Sequence, residues 1–258
     1  MKKLLSRLLY PVRSLCARFV NIRPSCVSWD DRIYWKAANL NALEKISGDY
    51  LEFGVFRGGS MIEAYGAIKN AFERHQELNE GCTREDASEV KCIWENMRFF
   101  AFDSFQGLPE PVGVDKESCF FSGGKYAFEE SRFKENLESA GIPLDKVVTV
   151  PGWFQDTCIP ETSTRYGIKH AAIIHVDVDW YSSTQTVLAF ITPLLVDGTV
   201  IIFDDWYTFH GNPEMGEQKA FNEWRAQMPD WLFVEYHKEG PWRNSFIATK
   251  RKIVDVIV

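Results

Sequence analysis

The chain has 258 residues, 45% of them apolar and 14% aromatic, which suffices for a large packed core and excludes a disordered chain. It carries 29 Lys and Arg against 36 Asp and Glu, a formal net charge of −7, which argues against a nucleic-acid-coating protein. No apolar run reaches the roughly 18 residues that a transmembrane helix needs.

The amino terminus opens Met1-Lys2-Lys3 ahead of Leu4, Leu5, Leu8 and Leu9, as a signal peptide would. Arg7 and Arg13 break the apolar stretch, and no small-residue cleavage site follows. Residues 3–20 read instead as a basic amphipathic segment, with Arg7, Arg13 and Arg18 among leucines and a break at Pro11. Docking on its own domain, or on a second subunit of a homo-oligomer, is favoured over contact with a membrane surface. Residues 1–29 are therefore set apart, and residues 30–258 read as one domain. Cys16, Cys26, Cys82, Cys92, Cys119 and Cys158 are scattered and form no CxxC pair. They fit free thiols in a reducing cytosol and a cytoplasmic protein.

A helix is expected over Trp35–Lys45, stopped by Ser47-Gly48. Asp49–Phe53 reads as a strand running into a glycine turn, and Gly58-Gly59-Ser60 opens a helix to about Leu78. Residues 80–95 are polar and mixed, and read as an insertion or long loop. Arg98–Phe102 is a second strand, followed by a Gly- and Pro-rich loop from Ser104 to about Gly124. A charged helix (128–140) and a strand (147–150) come next. Ala171–Val176 and Gly198–Phe203 are nearly continuous apolar strands, separated by a helix through Thr184, Val187 and Leu188. Glu217–Ala226 is helical, and two more strands, Leu232–Tyr236 and Ser245–Thr249, flank Gly240-Pro241. The alternation implies an α/β fold: a Rossmann-like, mostly parallel sheet with helices on both faces. The short final connection suits one antiparallel strand near the edge.

Chemistry concentrates at three strand ends. In Glu52-Phe53-Gly54-Val55-Phe56-Arg57-Gly58-Gly59-Ser60 the glycines let backbone approach a ligand, but the dinucleotide pattern G-x-G-x-x-G is absent. Glu52 would repel phosphates and suit a cationic cofactor. Asp103 ends the second strand, where an acid commonly takes ribose hydroxyls; capping of the following loop is the plain alternative. Asp177 and Asp179 end the fourth strand, and Asp204 and Asp205 the fifth. Four carboxylates on neighbouring strands repel one another, and a divalent cation relieves this. An all-oxygen donor set suits Mg²⁺, Mn²⁺ or Ca²⁺ rather than zinc. The alternative is helix capping by Asp179 and Asp205. His175 reads as a buried strand residue, and His210 as a weak candidate base on the same rim. Trp180, Tyr181, Trp206 and Tyr207 would crowd that rim, either packing or stacking on a sugar.

Together these segments resemble the macrocin O-methyltransferase (TylF-type) family of S-adenosylmethionine-dependent sugar methyltransferases. The resemblance rests on residues 48–59, on Phe102-Asp103-Ser104-Phe105-Gln106-Gly107-Leu108-Pro109 and on Gly152-Trp153-Phe154-Gln155-Asp156-Thr157. It continues through Asp177-Val178-Asp179-Trp180-Tyr181-Ser182-Ser183-Thr184 and Asp204-Asp205, with Val178 where the family often has glycine. It implies a class I methyltransferase fold and a Mg²⁺ or Mn²⁺ ion on Asp177, Asp204 and Asp205. The expected cofactor-binding residues are Glu52, Phe53, Gly54, Val55, Gly58, Ser60, Asp103, Ser104, Gly152, Trp153, Phe154 and Asp177. Asp177 is the favoured base, with Asp179 and His210 as alternates. The implied reaction is methyl transfer to a hydroxyl of a sugar or glycosylated small molecule. Three rivals carry different signatures: a metal-dependent catechol or phenol O-methyltransferase, a nicotinamide-dependent dehydrogenase, and a binding subunit without turnover.

Overall fold

A computed structural model describes residues 32–80, 84–117 and 121–251. The expected amino-terminal segment and Cys16, Cys26, Cys82 and Cys119 lie outside the described residues. Cys92 is exposed and Cys158 buried, and both are free thiols.

The described strands are β1 (Asp49–Phe53), β2 (Phe99–Asp103), β3 (Val147–Pro151), β4 (Ala171–Val176), β5 (Leu195–Phe203), β6 (Trp231–Glu239) and β7 (Arg243–Lys250). They form one sheet in the order β3-β2-β1-β4-β5-β7-β6. Strands β1 to β5 are parallel. Strand β7 enters between β5 and β6 and runs antiparallel to both, which leaves β6 at the edge. The one reversed strand is thus next to the edge, as its short link to β6 requires.

Two helical layers cover the sheet because side chains alternate along each strand. Tyr50, Ile173 and Ile202 face α1 (Ile33–Glu44), α2 (Gly59–Glu80) and α3 (Arg84–Asn96). Leu51, Phe53, Ile174, Val176, Ile201 and Phe203 pack in the second core cluster. Also on that side are α5 (Phe154–Thr157), α6 (Pro160–Tyr166), α7 (Tyr181–Ile191) and α8 (Gly216–Ala226), whereas α4 (Glu130–Ser139) sends Phe133 and Leu137 to the first cluster. Both faces being buried explains the unbroken apolar run of β4, whose six residues are all buried.

Residues 80–95 correct the sequence reading. Arg84–Asn96 is a helix, not a loop. Ala87, Val90 and Ile93 recur every three residues and are buried, and Trp94 lies 5.6 Å from the Tyr65 ring of α2. Their narrow apolar stripe was outweighed by the charges around it. The short α5 and α6 were not anticipated either; Pro160 starts α6, where a missing N–H costs nothing.

Candidate active site

Strand register builds the site. Phe53 is level with Phe102 on β2 and Val176 on β4, and Val176 with Phe203 on β5. The next residues, Gly54, Asp177 and Asp204, therefore share one rim with Asp103. The Gly54 N–H donates to Phe102 O (2.8 Å), Asp177 N–H to Phe53 O (2.9 Å), Asp204 N–H to Val176 O (3.0 Å) and Gly152 N–H to Asp103 O (2.9 Å). A cavity of about 500 Å³ opens here. In open α/β sheets, ligands bind at this carboxyl end of the strands.

One end of the cavity is lined by Gly54, Asp103, Ser104, Gly152, Trp153 and Phe154. Gly54 has φ 86°, and a β-carbon there would collide with the Asp177 carbonyl oxygen, so only glycine lets the two strand ends close. Asp103 does two jobs. Its Oδ2 accepts the Val55 and Phe56 N–H groups (2.8 and 3.1 Å), and its Oδ1 accepts Phe105 N–H (2.7 Å). The predicted loop cap is present, and the same carboxylate lines the cavity.

Several expected cofactor residues lie behind the rim. Glu52, Phe53, Val55, Gly58 and Ser60 do not line the cavity. Glu52 lies on the same face of β1 as Tyr50, so its side chain enters the α1–α2 layer. It is fully buried and accepts the Tyr50 hydroxyl (2.6 Å) and the Ser60 hydroxyl (2.5 Å). It is an anchor for the turn rather than a surface offered to a cation. The fully buried Phe53 stacks on Phe102.

The other end gathers Asp177, Asp179, Asp204, Asp205 and His210. Carboxylate oxygens of Asp177, Asp179 and Asp205 all lie within 4.8 Å of one another; so do ligand atoms of His175, Asp177 and Asp204. Asp177 belongs to both groups. The expected trio of Asp177, Asp204 and Asp205 is thus split here, because Arg243 holds Asp204 Oδ1 and His175 Nε2 stands 3.4 Å from it.

The electrostatics follow the crowding. Burial first, then the Asp204 and Asp205 charges, push the Asp177 carboxyl well above its usual range. Burial and the Asp177 charge raise Asp179 to about 7. Burial, then Asp179 and Asp204, raise Asp205. Asp204 goes the other way: burial opposes ionisation, but the His175 hydrogen bond and the His175 and Arg243 charges outweigh it and hold Asp204 at about 2. For His175, burial disfavours the charge, yet hydrogen bonds to Asp204 and Glu52 raise it to about 10. His175 is thus the buried residue expected, but it also joins Glu52 to the rim.

Neither capping alternative describes Asp179 or Asp205. Helix α7 has Trp180 at its N-cap position with no side-chain cap bond, and Asp115, which sequence reasoning missed, accepts its first amides. Glu217 of α8 was missed as well. It is buried, its Oε2 accepts Asp205 N–H (3.0 Å), and its Oε1 has no partner. Burial and the nearby aspartates push its carboxyl up. The expected aromatic rim also changes. Of the four residues named, only Tyr207 lines the cavity; Trp180 is fully buried and Trp206 packs against Phe203 and Phe246. Phe56, Phe121, Tyr126, Phe209 and Trp242 form the aromatic wall instead. Gly123-Gly124, just ahead of Lys125-Tyr126, and Gly240-Pro241 before Trp242 were the available signals of turns.

The family described as Macrocin-O-methyltransferase (TylF) matches residues 90–228, more than half of the chain. The chain belongs to the TylF family. A curated relative, the 8-demethyl-8-(2,3-dimethoxy-alpha-L-rhamnosyl)-tetracenomycin-C 4'-O-methyltransferase of Streptomyces olivaceus, is 31% identical over 62% of this chain and 54% of its own. The mycinamicin III 3''-O-methyltransferase of Micromonospora griseorubida is 28% identical over 62% of this chain and 56% of its own. The TylF-family chain thus spans about half the length of the curated relatives it matches. Among solved structures, the O-methyltransferase NovP is similar with a TM-score of 0.62 and 21% identity, covering 84% of this chain and 78% of that one. The calicheamicin methyltransferase CalS11 gives 0.56 and 20%, covering 83% and 77%. These likenesses establish the fold. Among the described residues no helix is long and apolar enough to cross a membrane.

Proposed function

We propose that this chain transfers a methyl group from S-adenosylmethionine to a hydroxyl of a sugar or glycosylated small molecule, assisted by Mg²⁺ or Mn²⁺. The observation that carries the reading is that the glycine turn with Asp103 and the aspartate cluster open into one cavity. One end offers a carboxylate and a close-approach glycine to a nucleoside, and the other offers hard oxygen donors to a cation.

The rim fits such an ion. Its donors are carboxylates, and burial and mutual repulsion raise three of them above their usual range, so that a cation would relieve a real penalty. Asp177, Asp179 and Asp205, whose oxygens already gather there, would hold the ion, with Asp204 of the expected trio beside them on its Arg243 contact; when bound, the ion would supply a Lewis acid that makes a sugar hydroxyl easier to ionise. Asp103 and Gly152-Trp153-Phe154 bind and orient the nucleoside end. Asp177, at the boundary between the two ends, aligns the hydroxyl with the methyl carbon. Asp177 would take the hydroxyl proton on its carboxylate, with Asp179 and His210 as alternates on the same rim. Phe121, Tyr207 and Trp242 offer flat apolar faces to a sugar ring and exclude water. The name of one curated relative carries a rhamnosyl group, which supports a glycoside acceptor. The free thiols of Cys92 and Cys158 agree with a cytoplasmic enzyme.

The test is transfer of a labelled methyl group from S-adenosylmethionine to a panel of nucleotide sugars and glycosides, with Mg²⁺ or with chelator. Metal-dependent label in a sugar hydroxyl is expected. Label in a catechol but in no sugar, or full transfer in excess chelator by metal-free protein, would overturn the reading.

A further inference from the structure

The turn that carries Asp179 is supported from outside by one buried carboxylate. Asp115 lies in the 3₁₀ turn Gly113–Glu117 and is 1% exposed. Its Oδ1 accepts Tyr181 N–H at 2.8 Å, and its Oδ2 accepts Ser182 N–H at 3.2 Å and the Ser182 hydroxyl at 2.7 Å. Tyr181 and Ser182 open α7, and the first amides of a helix have no partner within it. A nearby Ser, Thr, Asp or Asn normally serves them. Here Trp180 occupies that position and cannot, so a residue 66 positions away in sequence does so.

The turn has reason to spring open. Asp179 has φ 58°, the left-handed region that costs any residue bearing a β-carbon. Its carboxylate also sits within 4.8 Å of those of Asp177 and Asp205. The same loop that carries Asp115 also holds Trp180, at two points. The Trp180 indole N–H donates to Pro109 O at 3.3 Å, and the Phe121 ring meets the indole edge-on at 5.6 Å. Pro109 and Phe121 line the cavity, whereas Asp115 does not. One wall of the cavity and the position of Asp179 therefore share a support.

We propose that Asp115 is a positioning residue for Asp179. By capping α7 it holds Asp179 in its left-handed turn with the carboxylate on the rim, and it ties that carboxylate to the loop walling the cavity. The inference rests on the cation-assisted reading of the rim only for its second readout.

The experiment uses the full chain with Asp115→Ala, Asp115→Asn, Asp179→Asn and the Asp115→Ala/Asp179→Asn double variant. Amide hydrogen exchange is followed at Tyr181 and Ser182. Affinities for Mn²⁺ and for S-adenosylhomocysteine are measured by calorimetry. Asp115→Ala should speed exchange at both amides and weaken Mn²⁺ binding about tenfold, the scale of a lost helix cap, while leaving S-adenosylhomocysteine affinity unchanged. Asp115→Asn keeps one acceptor oxygen and should fall between, and it carries the comparison if the alanine variant does not fold. In the Asp179→Asn background, Asp115→Ala should have no further effect on Mn²⁺, because the charge it positions is gone. Unchanged exchange at Tyr181 and Ser182, or equal weakening of Mn²⁺ in both backgrounds, would overturn the proposal. Wild-type protein that binds no Mn²⁺ would refute the cation reading instead, and the exchange result would then decide the role of Asp115 alone.

Discussion

Replacing Asp179 by Asn should stabilise the metal-free protein, and the effect should depend on pH. Asp179 is raised from 3.8 to about 7, chiefly by burial and then by the Asp177 charge. Below 3.8 the carboxyl is protonated in both folded and unfolded chains and adds no penalty. Between about 4 and 7 only the unfolded chain releases the proton, so stability falls as pH rises through this window. Above pH 7 the full penalty is about 4 kcal/mol at about 1.4 kcal/mol per tenfold change in proton affinity. Asp177, Asp205 and Glu217, also raised, destabilise the metal-free protein in the same direction over this window, so the comparison with the variant is what isolates Asp179. Asp204, held at about 2, adds stability that is lost only as pH falls from 3.8 through 2. His175, raised to about 10, adds stability that is complete below 6.5 and fades only as pH rises through 10. Asparagine accepts the left-handed conformation at position 179, so the substitution removes charge without new backbone strain. In EDTA the variant should exceed wild type by about 1 kcal/mol at pH 4.5 and by about 2–4 kcal/mol at pH 7.5, the latter roughly 4–16 °C in Tm for a chain of this size. Saturating Mn²⁺ should shrink the difference by stabilising the wild type. Urea and thermal unfolding followed by circular dichroism would measure this. Metal-free wild type with flat stability from pH 4.5 to 7.5, or a variant no more stable at pH 7.5, would refute the argument that these acids crowd one another.

Asp103→Ala should weaken S-adenosylhomocysteine binding about 10- to 100-fold by calorimetry and leave Mn²⁺ affinity near normal, since it removes hydrogen bonds to a charged group. It should also lower Tm, because the Val55, Phe56 and Phe105 amides lose their acceptor. Asp204→Asn and Asp205→Asn should each reduce Mn²⁺ affinity while S-adenosylhomocysteine binding persists, because a neutral amide is a poorer donor to a hard cation. Glu217→Gln should leave Tm near wild type at pH 7, since burial already favours the uncharged form of Glu217 and the amide oxygen can still accept Asp205 N–H. Glu217→Ala should cost about 1–3 kcal/mol by stranding that amide, and it should weaken Mn²⁺ binding as Asp205 loosens.

The parallel core was legible because burial leaves a simple mark. Strands β4 and β5 are apolar nearly throughout, and each ends abruptly in paired acids, which gave both the sheet and the position of the rim. The antiparallel partner of β5 followed from the length of one connection. Helix α3 was not legible, because Ala87, Val90 and Ile93 form a stripe one residue wide on a charged helix. Its burial depends on the facing residues of α2, which a local window does not contain.

Within the site, expected residues that line the cavity include those whose position follows from a strand ending: Gly54, Asp103, Asp177 and Asp204. Those that lie behind the rim do so because of side-chain direction. Glu52 was adjacent to the turn in sequence, but alternation along β1 sends it to the opposite face, among Tyr50, Ser60 and His175. Trp180 and Trp206 are adjacent in sequence to the rim aspartates yet are core residues, while Trp242, 54% exposed, reaches the cavity from a hairpin far along the chain. Asp115 had no local signal at all. It stands in a polar loop, does not touch the cavity, and acquires its meaning only when the Tyr181 and Ser182 amides need an acceptor that Trp180 does not provide. The sequence motif thus discloses the groups that meet a ligand, whereas the groups that hold them in place are chosen by the fold, and a search for the second kind has to begin from unsatisfied backbone at the site.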